Sequence, residues 1–242
     1  MNEKELKTSP KQRFFIILIA VLMLGSIIAS YAAIVLGGSS KGNSASAEAS
    51  EISAEKLAEY ESAYSAKEAE FSKATQADFD EFIKYKSEIK AYNEASANAG
   101  DVQVKDLKVG TGRALTDEDK DYLAYYVGWC ADETIFDSSF NDNSSPTAFS
   151  KILDASLGMI EGWNRGIDGM KLDGIREITI PGELAYGDSM EICGGTNKPL
   201  KFMVMAKAKE GTLSTLASEL DEAYMRLQYA QYGIDYDAMQ NS

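Results

Sequence analysis

The chain has 242 residues, enough for one domain with accessory segments or for two small domains. Its 24 lysines and arginines stand against 38 aspartates and glutamates, and the net charge of −14 argues against nucleic acid as a partner, because a phosphate-backbone binder needs a basic face. The sequence contains no histidine and only two cysteines. This excludes histidine-dependent triads, histidine metal ligands, zinc knuckles and iron–sulfur sites.

The first feature along the chain is an uncharged apolar run, residues 14–36, which follows a basic tail, residues 1–13. The run is longer than the ~20 residues that span a bilayer. Lysines and an arginine precede it, whereas the first charge after it is Lys41. The positive-inside rule therefore predicts a single-pass signal anchor with a cytoplasmic N-terminus and an extracytoplasmic remainder.

A cleaved signal peptide is the alternative, since Ala45-Ser46-Ala47 has the pattern of a cleavage site. Cleavable apolar cores are usually ~7–15 residues long, however, and this one is longer and lies far from that site. A flexible linker rich in Gly, Ser and Ala, residues 37–50, follows the run.

Residues 51–100 have a helical pattern, with neither Gly nor Pro between positions 52 and 97. Apolar residues recur at helical spacing in two sets: Leu57, Tyr60, Tyr64 and Phe71, then Phe82, Tyr85, Ile89 and Tyr92. The phase breaks between Ala74 and Asp78. Two arrangements fit: a coiled-coil stalk that forms a homodimer through residues 51–97, or helices that fold against each other or onto the following domain.

Residues 101–210 change to a strand pattern with one short helix. Predicted strands occupy residues 102–109, 122–130, 134–138, 174–181 and 200–207, and a one-faced helix runs from Ile160 to Met170. An antiparallel sheet with one crossing helix is an α+β layout, and the length is adequate for a core. Residues 211–242 add a C-terminal amphipathic helix and a tail.

Five short motifs follow one another inside this region. They are Tyr126-Val127-Gly128, Phe136-Asp137-Ser138-Ser139, Ile160-Glu161-Gly162-Trp163, Ile180-Pro181 with Leu184-Ala185-Tyr186-Gly187, and Pro199-Leu200-Lys201-Phe202. In this order and spacing, residues 106–210 resemble an FKBP-type peptidyl-prolyl cis/trans isomerase. The resemblance implies an α+β fold, a twisted antiparallel sheet wrapped on one short helix. Here that domain would follow a transmembrane helix and a helical stalk or helical pair, and precede the C-terminal helix.

The resemblance also implies a proline-binding cleft. The implied catalytic residues are Tyr126, Phe136, Asp137, Trp163 and Tyr186, and the implied substrate-binding residues are Met159, Ile160, Ile192 and Phe202. Trp163 would form the floor, with Phe136 and Phe202 as walls. The Tyr186 hydroxyl and the Ile160 N–H would hold substrate carbonyls, and Asp137 would orient the cleft with Tyr126 nearby.

Such a cleft needs no nucleophile, metal or cofactor. The X-Pro bond isomerises over a barrier of ~18–20 kcal/mol because planarity preserves C–N resonance, which separates charge. Water stabilises that charge separation, and the twisted transition state has less of it. An apolar cleft that excludes water therefore favours the twisted form.

Three segments depart from the family pattern. Thr147 and Ala148 follow Pro146, where the family has a further aromatic wall. Residues 151–157 form a longer lead into the short helix, and residues 188–198 have little of the usual loop sequence.

The two cysteines, Cys130 and Cys193, admit two interpretations. Two cysteines in one domain outside the cytoplasm often form a disulfide. They could equally be separate thiols, one at the end of a strand and one in a loop.

Three functions from different classes fit the sequence. The first is a membrane-anchored isomerase that assists the folding of exported, proline-containing chains at the outer face of the membrane. The second is a proline-peptide-binding chaperone or scaffold with little turnover. The third is a structural stalk protein capped by the globular domain.

Overall fold

A computed structural model describes residues 52–240 of the chain. The α-helices are α1 (Ala54–Ala74), α2 (Gln76–Phe82), α3 (Glu94–Ala97), α4 (Glu161–Ile167), α5 (Gly211–Gln231) and α6 (Tyr236–Gln240). The strands are β1 (Gln103–Lys108), β2 (Tyr122–Trp129), β3 (Ile135–Ser138), β4 (Leu153–Asp154), β5 (Ile175–Ile180) and β6 (Leu200–Ala208). Short 3₁₀ turns lie at Ile83–Glu88, Ala155–Leu157, Gly182–Leu184 and Gly187–Ser189.

The strands form one antiparallel sheet in the order β1-β5-β6-β2-β3, with β4 paired to β2. The longest ladder joins β2 to β6, from Tyr122 opposite Ala208 to Trp129 opposite Lys201. Each predicted strand is present, as is the short helix α4. The two-residue strand β4 was not predicted, because it is too short to show an alternating pattern.

Strand β2 is buried on both of its faces. Side chains alternate across a strand, so its even-numbered residues pack towards α4 and its odd-numbered residues towards the opposite face. The α4 face holds a core that includes Tyr122, Ala124, Tyr126 and Trp163. The opposite face holds a second core built on Leu123, Tyr125, Val127 and Trp129.

Residues 52–97 and the C-terminal helix cover this second face. Phe71, Phe79 and Phe82 are buried there, together with Leu216 and Leu220 of α5. Of the two arrangements left open by the sequence, the structure has the helices packed onto the following domain. Burial of these aromatic rings removes their surface from water and stabilises the fold.

Helices α1 and α5 run antiparallel. Lys67 bonds Glu219 at 2.6 Å, and Tyr64 contacts Tyr224 with ring centroids 5.9 Å apart. Closer to the start of α1, Lys56 bonds Asp235 beyond the end of α5. The face that would have formed a coiled-coil seam is thus occupied within the chain, so the predicted homodimer through residues 51–97 would need another surface.

The helical prediction is wrong for Ile89–Asn93, an extended segment between the 3₁₀ turn and α3. Hydrogen bonds to other parts of the chain replace the helical ones there. The Tyr92 N–H donates to the Ala131 carbonyl at 3.1 Å, and the Lys90 carbonyl accepts from the Trp129 indole at 3.1 Å. Tertiary contacts have overridden a pattern that was locally helical.

Within residues 52–240, no helix combines the length and the apolar character needed to cross a membrane. The predicted transmembrane span, residues 14–36, and the predicted linker lie outside the described residues.

Candidate active site

A cluster of aromatic rings, the candidate cleft, lies on the face of the sheet that packs against helix α4. Trp163 of α4 is 2% exposed and meets Phe202 of β6 edge-to-face, with ring centroids 5.3 Å apart. Tyr126 of β2 meets Trp163 at 5.9 Å, and Phe136 of β3 meets Phe202 at 5.5 Å, both also edge-to-face. Four of the implied residues therefore form one connected set of rings, in the arrangement that aromatic pairs prefer.

Gly128 of β2 permits this close packing. A Cβ atom at this position would lie 2.5 Å from Phe136 Cζ and 2.8 Å from Phe202 Cε1, closer than atoms approach. Any side chain at position 128 would push one wall of the cleft away from the other.

Asp137 is held by three hydrogen bonds. Its carboxylate accepts from the Tyr126 hydroxyl, from Lys151 Nζ at 2.5 Å and from the Ser138 N–H at 2.9 Å. Lys151 Nζ also lies 5.8 Å from the centroid of the Tyr126 ring. Asp137 and Lys151 thereby fix the position and orientation of Tyr126.

Two tyrosines of the cleft, Tyr126 and Tyr186, stay protonated at neutral pH. Burial, and then the charge of Asp137, raise the pKa of Tyr126 well above its usual value of 10. The same two causes, in the same order, raise the pKa of Tyr186. Both hydroxyls are therefore hydrogen-bond donors over the whole physiological pH range.

Two polar groups of the cleft have no hydrogen-bond partner among residues 52–240. One is the N–H of Ile160, the residue that precedes α4, and the other is the hydroxyl of Tyr186. Met159 and Ile160 pack against the core that contains Trp163. A substrate carbonyl could accept a hydrogen bond from either group.

The loop from residue 182 to 198, here called the cleft loop, carries Tyr186 and Ile192. Ile192 is 8% exposed and belongs to the same core as Trp163 and Phe202. A disulfide joins Cys193 of this loop to Cys130 at the end of β2, with Cα atoms 5.4 Å apart. Of the two interpretations of the cysteines, the structure has the disulfide.

The structure thus brings all nine implied residues to one cleft, including Ile192 in a loop of unfamiliar sequence. No aromatic residue stands at positions 147 and 148, where the family has a further aromatic wall. Thr147 is exposed, and its N–H and hydroxyl bond the Asn141 side chain at 3.1 and 2.9 Å. The next aromatic, Phe149, is fully buried on the other face of the sheet, stacked on Tyr125.

Sequence reasoning missed two residues of the cleft. Tyr122 accepts a hydrogen bond from the Trp163 indole at 2.8 Å, and strand alternation places it on the same face as Tyr126. Lys151 pairs with Asp137, and it is the only lysine or arginine between Glu133 and Arg165. Both signals were present in the sequence.

The fold and the cleft define a class: an antiparallel sheet packed on a short helix, with an aromatic pocket whose polar groups donate hydrogen bonds without changing protonation. Comparison with known proteins gives the family. Residues 112–207 match the model of the FKBP-type peptidyl-prolyl cis-trans isomerase family. The FK506-binding protein of Neisseria meningitidis serogroup A is 37% identical over 91 residues, which cover 36% of this chain and 76% of that protein.

A second relative is the FK506-binding protein of Streptomyces anulatus, 37% identical over 89 residues, covering 36% of this chain and 68% of that protein. A crystal structure of a peptidyl-prolyl cis-trans isomerase from Pseudomonas syringae pv. tomato is 26% identical and covers 55% of this chain and 94% of that one. The TM-score of that match is 0.34, and the family follows from sequence similarity alone. The chain belongs to the FKBP-type peptidyl-prolyl cis-trans isomerase family, and its enzymatic activity is peptidyl-prolyl isomerisation.

Proposed function

We propose that this isomerase assists the folding of exported, proline-containing polypeptides at the outer face of a membrane, to which a single N-terminal helix anchors it. The catalytic part of the proposal rests on one observation, the convergence of the rings of Tyr126, Phe136, Trp163 and Phe202 in one connected set.

Catalysis in this cleft works by desolvation. A proline ring of the substrate packs on Trp163 between Phe136 and Phe202. The X-Pro imide thereby loses its contact with water. The planar imide, which carries more separated charge than the twisted one, loses more stabilisation. Each tenfold gain in rate needs only ~1.4 kcal/mol of such a difference.

The polar groups of the cleft hold the substrate peptide in place while its X-Pro bond twists. Tyr186 and the Ile160 N–H donate to carbonyl oxygens that flank the proline, while Met159 and Ile192 contact neighbouring side chains. Asp137 acts through Tyr126, whose ring it fixes against Trp163. No group in this scheme gains or loses a proton.

Two observations support the extracytoplasmic location. The apolar run at residues 14–36 follows a basic tail, and disulfides such as Cys130–Cys193 persist mainly in oxidising compartments. Protease added to intact cells should digest the chain beyond residue 37 and spare the N-terminus. A mature protein that begins near Glu48 would show cleavage and remove the anchor from the proposal.

The catalytic proposal is tested with the full chain in a protease-coupled assay on a proline peptide. Phe136→Ala opens a wall of the cleft and should lower kcat/KM severalfold, whereas Tyr232→Ala, at a side chain 54% exposed, should not. The pH profile should be nearly flat between about 6 and 8. A steep bell-shaped profile, or full activity in Phe136→Ala, would show that this cleft is not the catalytic site.

The missing aromatic wall favours a second candidate function, binding of proline peptides with little turnover. Thr147, which is exposed, and Ala148 stand where the family has a further aromatic ring. Saturable binding of the same peptide without measurable isomerisation would select this candidate over the first.

A further inference from the structure

The cleft loop is closed at its base by close contact between its two ends. Gly182 and Asn197 approach so closely that a Cβ atom on Gly182 would lie 2.2 Å from the Asn197 carbonyl oxygen. Within the loop, the Asn197 N–H donates to the Gly187 carbonyl at 2.7 Å. The 3₁₀ turn Gly182–Leu184 leads directly from this base to Tyr186, and the Ala185 N–H bonds the Gly182 carbonyl at 3.1 Å.

One side chain from outside the family-matched region bonds both ends of this base. Asn98 Oδ1 accepts from the Gly182 N–H at 2.6 Å, and Asn98 Nδ2 donates to the Asn197 carbonyl at 3.4 Å. Gly182 is buried, so its N–H depends on this acceptor. Residues 112–207 match the family model, and Asn98 precedes that region.

Other residues of the same segment, residues 89–98, here called the bracing segment, bond the last residue of the loop and the residue that follows it. Glu94 pairs with Lys198 at 2.8 Å. The Tyr92 hydroxyl donates to the Pro199 carbonyl, also at 2.8 Å. Asn98 itself ends helix α3, which the Asn93 side chain caps through the Ser96 N–H, so its own position is well determined.

We propose that Asn98 is a positioning residue for the isomerase reaction: its amide closes the base of the cleft loop and thereby holds the Tyr186 hydroxyl at the cleft. The proposal rests on the role of Tyr186 given above. Without the amide, the two ends of the loop separate and the turn that carries Tyr186 gains freedom. The hydroxyl then spends less time where a substrate carbonyl can accept from it.

The test is a double-mutant cycle on the full chain, measured as kcat/KM after circular dichroism has shown that each variant is folded. Tyr186→Phe removes one neutral hydrogen bond and should lower kcat/KM about 2- to 12-fold. Asn98→Ala should lower it about two- to tenfold on the same grounds. In the Tyr186→Phe background, Asn98→Ala should cost less than about twofold, because the group that it positions is already absent.

Two further variants separate positioning from general damage. Asn98→Asp keeps an acceptor for the Gly182 N–H but cannot donate to the Asn197 carbonyl, so its kcat/KM should lie between that of Asn98→Ala and that of the native enzyme. Ser96→Ala, at an exposed residue of the same segment, should leave kcat/KM unchanged.

The outcomes distinguish this inference from the function on which it rests. If Tyr186→Phe lowers kcat/KM but Asn98→Ala does not, or if the two losses simply multiply, Asn98 does not act through Tyr186. If Tyr186→Phe itself has no effect, the proposed role of Tyr186 fails, and the role of Asn98 fails with it.

Discussion

The two tryptophans of the chain are a natural pair for separating catalysis from stability at the scale of single residues. Trp163 and Trp129 are 2% and 0% exposed and lie on opposite faces of the sheet. Only Trp163 belongs to the cleft. Their burial is alike, so a conservative replacement should disturb the fold to a similar extent at either position.

We expect Trp163→Phe to lower kcat/KM about two- to tenfold, because the smaller ring leaves a gap in the floor and removes the hydrogen bond to Tyr122. Trp129→Phe is the comparison variant. It should lower the midpoint of thermal unfolding, and any loss of kcat/KM through the lost indole bond to Lys90 should be smaller than the loss in Trp163→Phe. Activity and thermal unfolding are measured on both variants. Equal losses of activity in the two would mean that the cleft floor has no special role.

At the residue scale, the Asp137–Lys151 ion pair contributes more to the orientation of Tyr126 than to the stability of the fold. Its two side chains are 32% and 35% exposed, and ion pairs in such contact with water contribute about 0–1 kcal/mol to stability. Its value lies in the orientation that it imposes on the Tyr126 ring.

At the scale of elements, helices α1, α2 and α5 cover the face of the sheet away from α4. Phe82 of α2 is fully buried and packs edge-to-face on Phe140 and Phe149, at 5.9 and 5.5 Å between centroids. Residues 101–210, which the motifs suggested as a separate domain, therefore share a core with residues on both sides.

We expect Phe82→Ala to lower the free energy of unfolding by about 3–5 kcal/mol, because it removes a buried ring and leaves a cavity. The measurement is urea denaturation of the full chain, with Tyr232→Ala as an exposed aromatic control. A loss below about 1 kcal/mol would mean that α2 is a dispensable appendage of the sheet.

At the scale of the whole molecule, buried tyrosines couple stability to alkaline pH. Burial raises the pKa of Tyr64 to about 12, and that of Tyr122 to about 12. Burial also raises the pKa of Tyr92, Tyr125, Tyr126 and Tyr224. In the unfolded chain a tyrosine titrates near 10.

Between pH 10 and 12 the unfolded state loses protons that the folded state keeps, so stability falls as pH rises. We expect a loss of about 1 kcal/mol at pH 11 for each of Tyr64 and Tyr122. Urea denaturation at pH 8 and pH 11 measures the loss, and tyrosinate absorbance should rise together with unfolding. Titration of all tyrosines near pH 10 in a chain that remains folded would contradict this expectation.

Much of the catalytic domain could be predicted because its signals are local. Apolar and polar alternation predicted β1 and β6, an aromatic-rich run predicted β2, and helical spacing predicted α4 and α5. Five motifs in order indicated the family and implied the nine residues of the cleft. Each motif fixes the spacing of its own residues. The order of the five motifs then assigns residues such as Trp163 and Tyr186 to one site without knowledge of the rest of the chain.

Tertiary structure decided what depends on residues distant in sequence. The spacing of one set that ends at Phe71 and of a second that begins at Phe82 predicted apolar helical faces, but only the fold shows that both phenylalanines cover the sheet rather than a second chain. Ile89 and Tyr92 had the same helical spacing, yet hydrogen bonds to the β2–β3 turn made their segment extended. The sequence by itself determined the family and five of the six strands, and it predicted the cleft residues, because each depends on a short stretch of chain. The pairing of Cys130 with Cys193 and the contact of Asn98 with Gly182 were decided by the fold, because each joins positions that only chain folding brings within reach.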